Sequence, residues 1–354
     1  MPGALSSLPA VASILALAQM SAALWIADPI ALRHLRLAQF DQLQRWFPRP
    51  YTPSPVRIVD IDELSLKPLA FGHWPWPRTR MAQLVQTLRE DVAAAVAFDV
   101  LLAEPDRTSP TALAAQWQNA ALRRELQGLP DNDILLARTF ANVPVEFGIS
   151  LARSASAAQA GLTSALEHPS YRVMETGTEA AARAGTAGLD AYFYAVLPLP
   201  GLQAATSAVG ALNYAPDADG VVRRLPLLFR LGDQVVPSLT AKVFRLTLNT
   251  RNYQIQRAEA GIDTVRIDQV SVPTDPQGAL WLAYTPSQPM WFLSAQKVLS
   301  GEVDHQLLKG HVVLIGSSAA GLLDLRLNSM GKLMPGVTAH ALALEQMLIQ
   351  ICFQ

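Results

Sequence analysis

Six acidic residues gather at the ends of two apolar runs. Asp60, Asp62 and Glu63 close VRIVDID (56–62), and Asp99, Glu104 and Asp106 end or follow AAAVAFDVLL (93–102). Ligands of open parallel sheets bind outside the carboxyl ends of the strands. If both runs are neighbouring strands, these acids meet at one rim. Such a rim suits a hard divalent cation held by oxygen ligands, Mg²⁺ or Ca²⁺, or a cationic solute. The same acids can instead cap helices and hold loops against Arg57, Arg78, Arg80 or Arg107. HWPWPR (73–78) is a stiff, aromatic segment. It serves either as a ligand wall with Arg78 as an anion contact, or as a turn whose Trp74 and Trp76 pack on the core. The candidate ligand-binding residues are therefore Asp60, Asp62, Asp99, Trp76 and Arg78. No cofactor beyond a divalent cation is expected.

Other patterns fail on chemistry. Asp217-x-Asp219-Gly220 resembles the start of a calcium loop, but Leu228 stands where the loop needs a Glu. The pattern predicts a hairpin turn instead. Gly316 to Gly321 has the outer spacing of a phosphate loop, yet Leu322 and Leu323 replace its Lys and Ser/Thr. Backbone N–H groups after Gly316 can still cradle an anion. Ser317 lacks a G-x-S-x-G elbow, and the six His residues show no H-x-H or H-E-x-x-H spacing. There is no G-x-G-x-x-G fingerprint. Cys352 is the only cysteine, which excludes an intramolecular disulfide. No catalytic residue is assigned.

The rim needs a sheet beneath it. VRIVDID, AAAVAFDVLL, VPVEFGIS (143–150) and HVVLIGSS (311–318) read as buried strands. Between the first two, Met81, Leu84, Val85 and Leu88 fall on one face of a helix over 78–90. Further helices are expected at 133–140, at 237–248 with Ser238 as cap, and at 294–299. Ala211–Tyr214 and Val221–Arg230 are expected to pair across the PDADG turn. Residues 151–190, rich in Ala, Ser, Gly and Thr, read as an irregular insertion. The fold class is α/β: a mixed, largely parallel sheet flanked by helices, behind an N-terminal transmembrane helix.

That helix is Leu8–Ala27, which has no charged side chain and the length of a membrane span. Its rival is a signal peptide cleaved after Ala16-Leu17-Ala18. Arg33, Arg36, Arg45 and Arg49 follow it, and the positive-inside rule alone would leave the following domain in the cytoplasm. A Pro-rich linker completes 28–55. At the other end, HALALEQMLIQICFQ becomes steadily more apolar. The 354 residues carry 28 Lys+Arg against 29 Asp+Glu, and this near-neutral balance excludes general affinity for nucleic acid.

Seven segments together resemble the type-two CHASE domain. They are VRIVDIDELSL (56–66), WPWPRTRMAQL (74–84), AVAFDVLLAEPD (95–106), GALNYAPDADGVVRR (210–224), VPSLTAKVFR (236–245), KGHVVLIGSSAAGLLDL (309–325) and PGVTAHALALEQML (335–348). Their order and spacing match over about 35–354. That domain is the extracytoplasmic sensory part of bacterial cyclases, histidine kinases and related receptors. The resemblance implies an input module rather than a catalyst, and it names no binding residues. It implies an anchor at 8–27, a sensor over 56–348 and an exit helix over 337–354 toward a following membrane segment. It implies placement in the inner membrane with the sensor in the periplasm and a small-molecule or envelope ligand; a homodimer is one assembly open to it, though the sequence does not name the oligomeric state. A divalent-cation-dependent envelope enzyme and a membrane-tethered scaffold are the alternatives.

Overall fold

A computed structural model describes residues 13, 16–20 and 29–352, except 68–71, 142, 155–161, 167–170, 178–187, 207–208, 260, 287–290 and 323. The chain divides into two units, Met1–Arg49 and Pro50–Gln354. The first contains helix α1 (Ile30–Trp46), none of whose residues is buried. Most of the expected span 8–27 lies outside the described residues. Among those described, no helix is long and apolar enough to cross a membrane.

The second unit is built on a parallel sheet. Its strands are β1 (Val56–Asp60), β2 (Ala95–Phe98), β3 (Val145–Ala152), β4 (Val209–Ala211), β5 (Phe292–Ser294) and β6 (Val312–Gly316). They lie in the order β5-β1-β6-β2-β3-β4, every neighbouring pair of these parallel. Tyr194–Val196 and Leu162–Thr163 extend the eight-stranded sheet from β3 by antiparallel pairing, so it is mixed and largely parallel. The expected strands at 56–61, 95–101 and 311–316 are therefore adjacent, with β6 in the middle. All residues of β1, β2 and β6 are buried. Alternate side chains enter two different cores: Ile58, Ala97 and Leu314 one, Val59, Val96 and Ile315 the other. Cover on both faces is why each strand reads as an unbroken apolar run.

Helix α2 (Arg78–Glu90) covers one face through Met81, Leu84, Val85 and Leu88, beside α3 (Asn132–Arg138). The other face carries α4 (Leu239–Thr247) and α5 (Val337–Cys352). Ser238 caps α4 by accepting the Ala241 N–H at 3.2 Å. Tyr253, Ile255, Val265 and Val272, from a four-stranded sheet between Arg172 and Pro273, join this core.

Two expectations change. The turn at Asp217–Gly220 forms, with Gly220 at a φ of 79° and its N–H donating to the Asp217 carbonyl at 2.8 Å. It does not join a hairpin, because Val209–Ala211 pairs with β3 and Val221–Val222 pairs in parallel with Leu325–Asn328. The turn is pinned by ions instead: Arg223 bonds Asp217 at 2.8 Å and Asp219 at 2.7 Å, and Arg224 also holds Asp217. Inside 151–190, Leu162–Thr163 and Arg172–Thr176 are strands rather than irregular chain. Arg172–Thr176 is held by parallel pairing to Asn252–Gln256.

Gly316 marks a close approach of sheet and helix. A methyl group on it would sit 2.5 Å from Val337 Cβ, so β6 ends against the first turn of α5.

Candidate functional site

The carboxyl edge of the sheet places the expected acids, and each meets different surroundings. Asp60 ends β1 and accepts the Ser318 N–H at 2.7 Å and the Ser318 hydroxyl at 2.5 Å. Burial raises its pKa, and the two Ser318 bonds work against that rise. Asp62 accepts the Ser65 N–H at 2.9 Å, the Ser65 hydroxyl at 2.6 Å and the Ser294 hydroxyl at 3.0 Å. It thereby ties the end of β1 to β5. Glu63 accepts the Ala320 N–H at 3.0 Å.

Trp76 and Arg78 belong to a separate depression of about 570 Å³ that also holds Glu104 and Asp106. Trp76 is buried, donates to the Gly72 carbonyl at 3.1 Å and packs on Trp74 with ring centroids 5.8 Å apart. The buried Arg78 guanidinium bonds Asp133 at 3.0 Å and the Glu104 carbonyl at 2.9 Å. Asp106 accepts the Arg78 N–H at 2.8 Å. Burial would raise the Asp106 pKa, but bonds from Arg78, Thr108 and Asn132 outweigh it and hold the acid below its usual range.

Asp99 follows β2 and lines a different cavity, of about 900 Å³, at the ends of β2, β3, β4 and β6. Strand β6 separates it from Asp60. The structure thus keeps Asp60, Asp62 and Asp99 apart rather than converging them. Among the described residues, no three His, Cys, Asp or Glu side chains group so as to hold a metal ion.

The Asp99 cavity has the polar equipment of a binding site. Trp74, Tyr214, Ser317, Asp324 and Arg326 share its wall. Asn213 sets Tyr214 in place by continuing the β3–β4 ladder: its amide accepts the Leu151 N–H at 2.7 Å and donates to the Leu151 carbonyl at 2.9 Å. Arg326 bonds Asp324 at 2.9 Å and lies 5.2 Å from the centre of the Tyr214 ring. That distance is within cation–π range. Asp99 Oδ2 and the Tyr214 hydroxyl are both buried and, among the described residues, both without a hydrogen-bond partner. Burial pushes the Asp99 carboxyl well above its usual range; Asp324 adds to the rise and Arg326 opposes it. The Tyr214 hydroxyl is pushed well up by burial first and by Asp99 second.

Behind the wall stands His340 of α5. Its ring lies 5.1 Å from that of Tyr214, and its Nε2 is 4.0 Å from Asp99 Oδ1. Nδ1 pairs with the Thr240 hydroxyl at 2.8 Å, while Nε2 has no hydrogen bond. Burial pushes the imidazole pKa down to about 4, against a pull from the Leu212 carbonyl. His340 is therefore neutral at pH 7.

The sequence reading found Asp99 because it sought acids at strand ends. It missed Tyr214, Asp324, Arg326 and His340. Tyr214 carries the one available signal, since it follows the strand ending at Ala211 just as Asp99 follows β2. The others come from segments that only the fold brings together.

Comparison with known proteins yields one match. The CHASE2 domain family matches residues 11–353, nearly the whole chain, in agreement with the resemblance carried by the seven motifs. No curated protein and no solved structure matches.

Proposed function

Since this chain belongs to the CHASE2 family of sensory domains, we propose that it is the extracytoplasmic input part of a membrane-bound receptor, coupled to a cyclase or kinase output. Leu8–Ala27 anchors it in the inner membrane, and the unit from Pro50 onward faces the periplasm as one half of a homodimer. The stimulus is a small polar solute bound in the Asp99 cavity. One observation carries this site: Asp99 Oδ2 and the Tyr214 hydroxyl are buried orphans beside a cavity of about 900 Å³. Buried polar groups nearly always have partners. A solute with hydrogen-bond donors completes both groups, with Trp74 as its aromatic wall and Arg326 for any anionic group it carries.

Helix α5 is the natural route out. His340 sits in its first turns behind Asp99 and Tyr214, and burial fades along it from Met347, fully buried, to Ile351, which is 39% exposed. A solute that shifts Asp99 or Tyr214 bears on His340 and hence on α5.

A thermal-shift screen of small metabolites and divalent cations against the full chain tests this reading. A ligand present at about 100 times its Kd adds about 2.7 kcal/mol of stability. Asp99→Asn and Tyr214→Phe should abolish the shift produced by the ligand found. A shift that survives both variants moves the stimulus elsewhere. Stabilisation by divalent cations alone, with turnover of a substrate, would favour the cation-dependent enzyme. Reporter fusions after residue 60 test the topology: activity of a cytoplasm-only reporter there would overturn the periplasmic placement.

A further inference from the structure

A second cavity, of about 310 Å³, lies at the end of β1, across β6 from Asp99. Its size is at the lower end of small-molecule sites, which are mostly apolar with a few placed polar groups. Phe292, Met334 and Leu342 supply apolar wall. Three further wall residues, Thr285, Trp291 and Thr338, are only 4%, 3% and 5% exposed. Each carries a polar side-chain atom with no hydrogen-bond partner among the described residues: two hydroxyls and the indole N–H, all closed off just behind the wall of the cavity.

Three orphans round one cavity are unusual in a native fold. An indole N–H can only donate, and a hydroxyl donates as readily as it accepts. The set therefore calls for an acceptor on the occupant. Charge narrows the class. The Asp60 carboxyl faces this cavity already engaged by Ser318, and Lys332, the one basic residue of the wall, is exposed. A carboxylate or phosphate inside would meet Asp60 with no buried cation to offset it, and burying an unpaired charge is costly.

We propose that this cavity is a second ligand site, for a small uncharged molecule with an apolar body and a carbonyl-type oxygen that accepts from Trp291, Thr285 and Thr338. It stands on different residues from the Asp99 cavity, so either site can fail without the other.

Calorimetry on the full chain with three probes tests it: cyclohexanone, methylenecyclohexane, which has the same shape without the oxygen, and cyclohexanecarboxylate. Cyclohexanone should bind saturably, and tighter than both others. Trp291→Phe keeps a ring in place and removes the N–H; it should weaken cyclohexanone about tenfold, the worth of one hydrogen bond. Thr338→Val, near in volume, should weaken it by a similar factor and serves where the Phe variant does not fold. Equal binding of the ketone and the hydrocarbon by the unaltered chain would overturn the proposal. So would tighter binding of the carboxylate, no saturable ketone binding, or ketone affinity unchanged in a folded variant.

Discussion

Asp60 and Asp99 hold corresponding positions, each at the carboxyl edge of a parallel strand, with β6 between them. Around Asp60 the loop after β6 turns its Ser318 N–H and hydroxyl onto the carboxyl. Around Asp99 the same loop offers nothing: Ser317 donates instead to the Ile61 carbonyl at 2.9 Å, and Asp99 Oδ2 stays bare. Burial alone does not distinguish the two acids, since they are 6% and 9% exposed. Partnership does. A strand-end acid that the fold satisfies is part of the frame. One that the fold buries and leaves without a partner among the described residues is the candidate for a ligand.

Four measurements break or sharpen this contrast. Both rims rest on one layer, so Leu314→Asp should undo them together. An unpaired carboxylate in β6, 1% exposed, should cost more than about 4 kcal/mol in denaturant unfolding. Wild-type stability in this variant would mean that β6 does not carry the edge.

Next in size is the pH response. The His340 pKa falls from 6.5 to about 4 on folding, so the unfolded chain binds the extra proton between those values. Stability should therefore drop as pH falls from 6.5 to 4, by about 3 kcal/mol from this group. Asp99 has the opposite sign. Its folded pKa lies above 3.8, so the folded chain keeps a proton that the unfolded chain has lost, and stability falls as pH rises from 3.8. His340→Gln should remove the first slope and Asp99→Asn the second, read from unfolding curves at stepped pH. Identical slopes in all three proteins would refute both burials.

Asp60→Ala should cost about 1–3 kcal/mol, because the Ser318 N–H and hydroxyl lose their acceptor. Asp99→Asn at neutral pH should change stability by less than about 0.5 kcal/mol or raise it, since no hydrogen bond to Oδ2 is lost. Equal losses would make Asp99 a frame residue like Asp60. An equally small effect belongs to Tyr214→Phe. Removing an orphan hydroxyl should leave stability unchanged or higher, by less than about 0.5 kcal/mol.

The frame was legible because its signals are local. Unbroken apolar runs gave the strands, one-face periodicity gave α2, and Ser238 announced α4. The order of the strands was not legible. Nothing in 56–101 says that Val312–Gly316, from far along the chain, inserts between β1 and β2 and parts the acids. The PDADG turn was read correctly, but its partners were not, because pairing with β3 and with Leu325–Asn328 outcompetes the short local ladder. Of the candidate site, the sequence reading named Asp99 alone. Tyr214, Arg326 and His340 matter through proximity, and each looks ordinary where it stands in the sequence.

The contact of Gly316 with Val337 bears on how two cavities can share one output. Thr338 forms wall in the smaller cavity, and His340, two residues on, backs the larger. Gly316 has no room for even a methyl group against Val337, so the end of β6 and the first turn of α5, which borders both cavities, are packed in direct contact. Linkage makes such a shared element reciprocal: whatever factor an occupant of the smaller cavity applies to affinity in the larger, it receives back unchanged. Under the function proposed above, occupants of the two cavities coupled through α5 would raise or lower each other's affinity by one common factor.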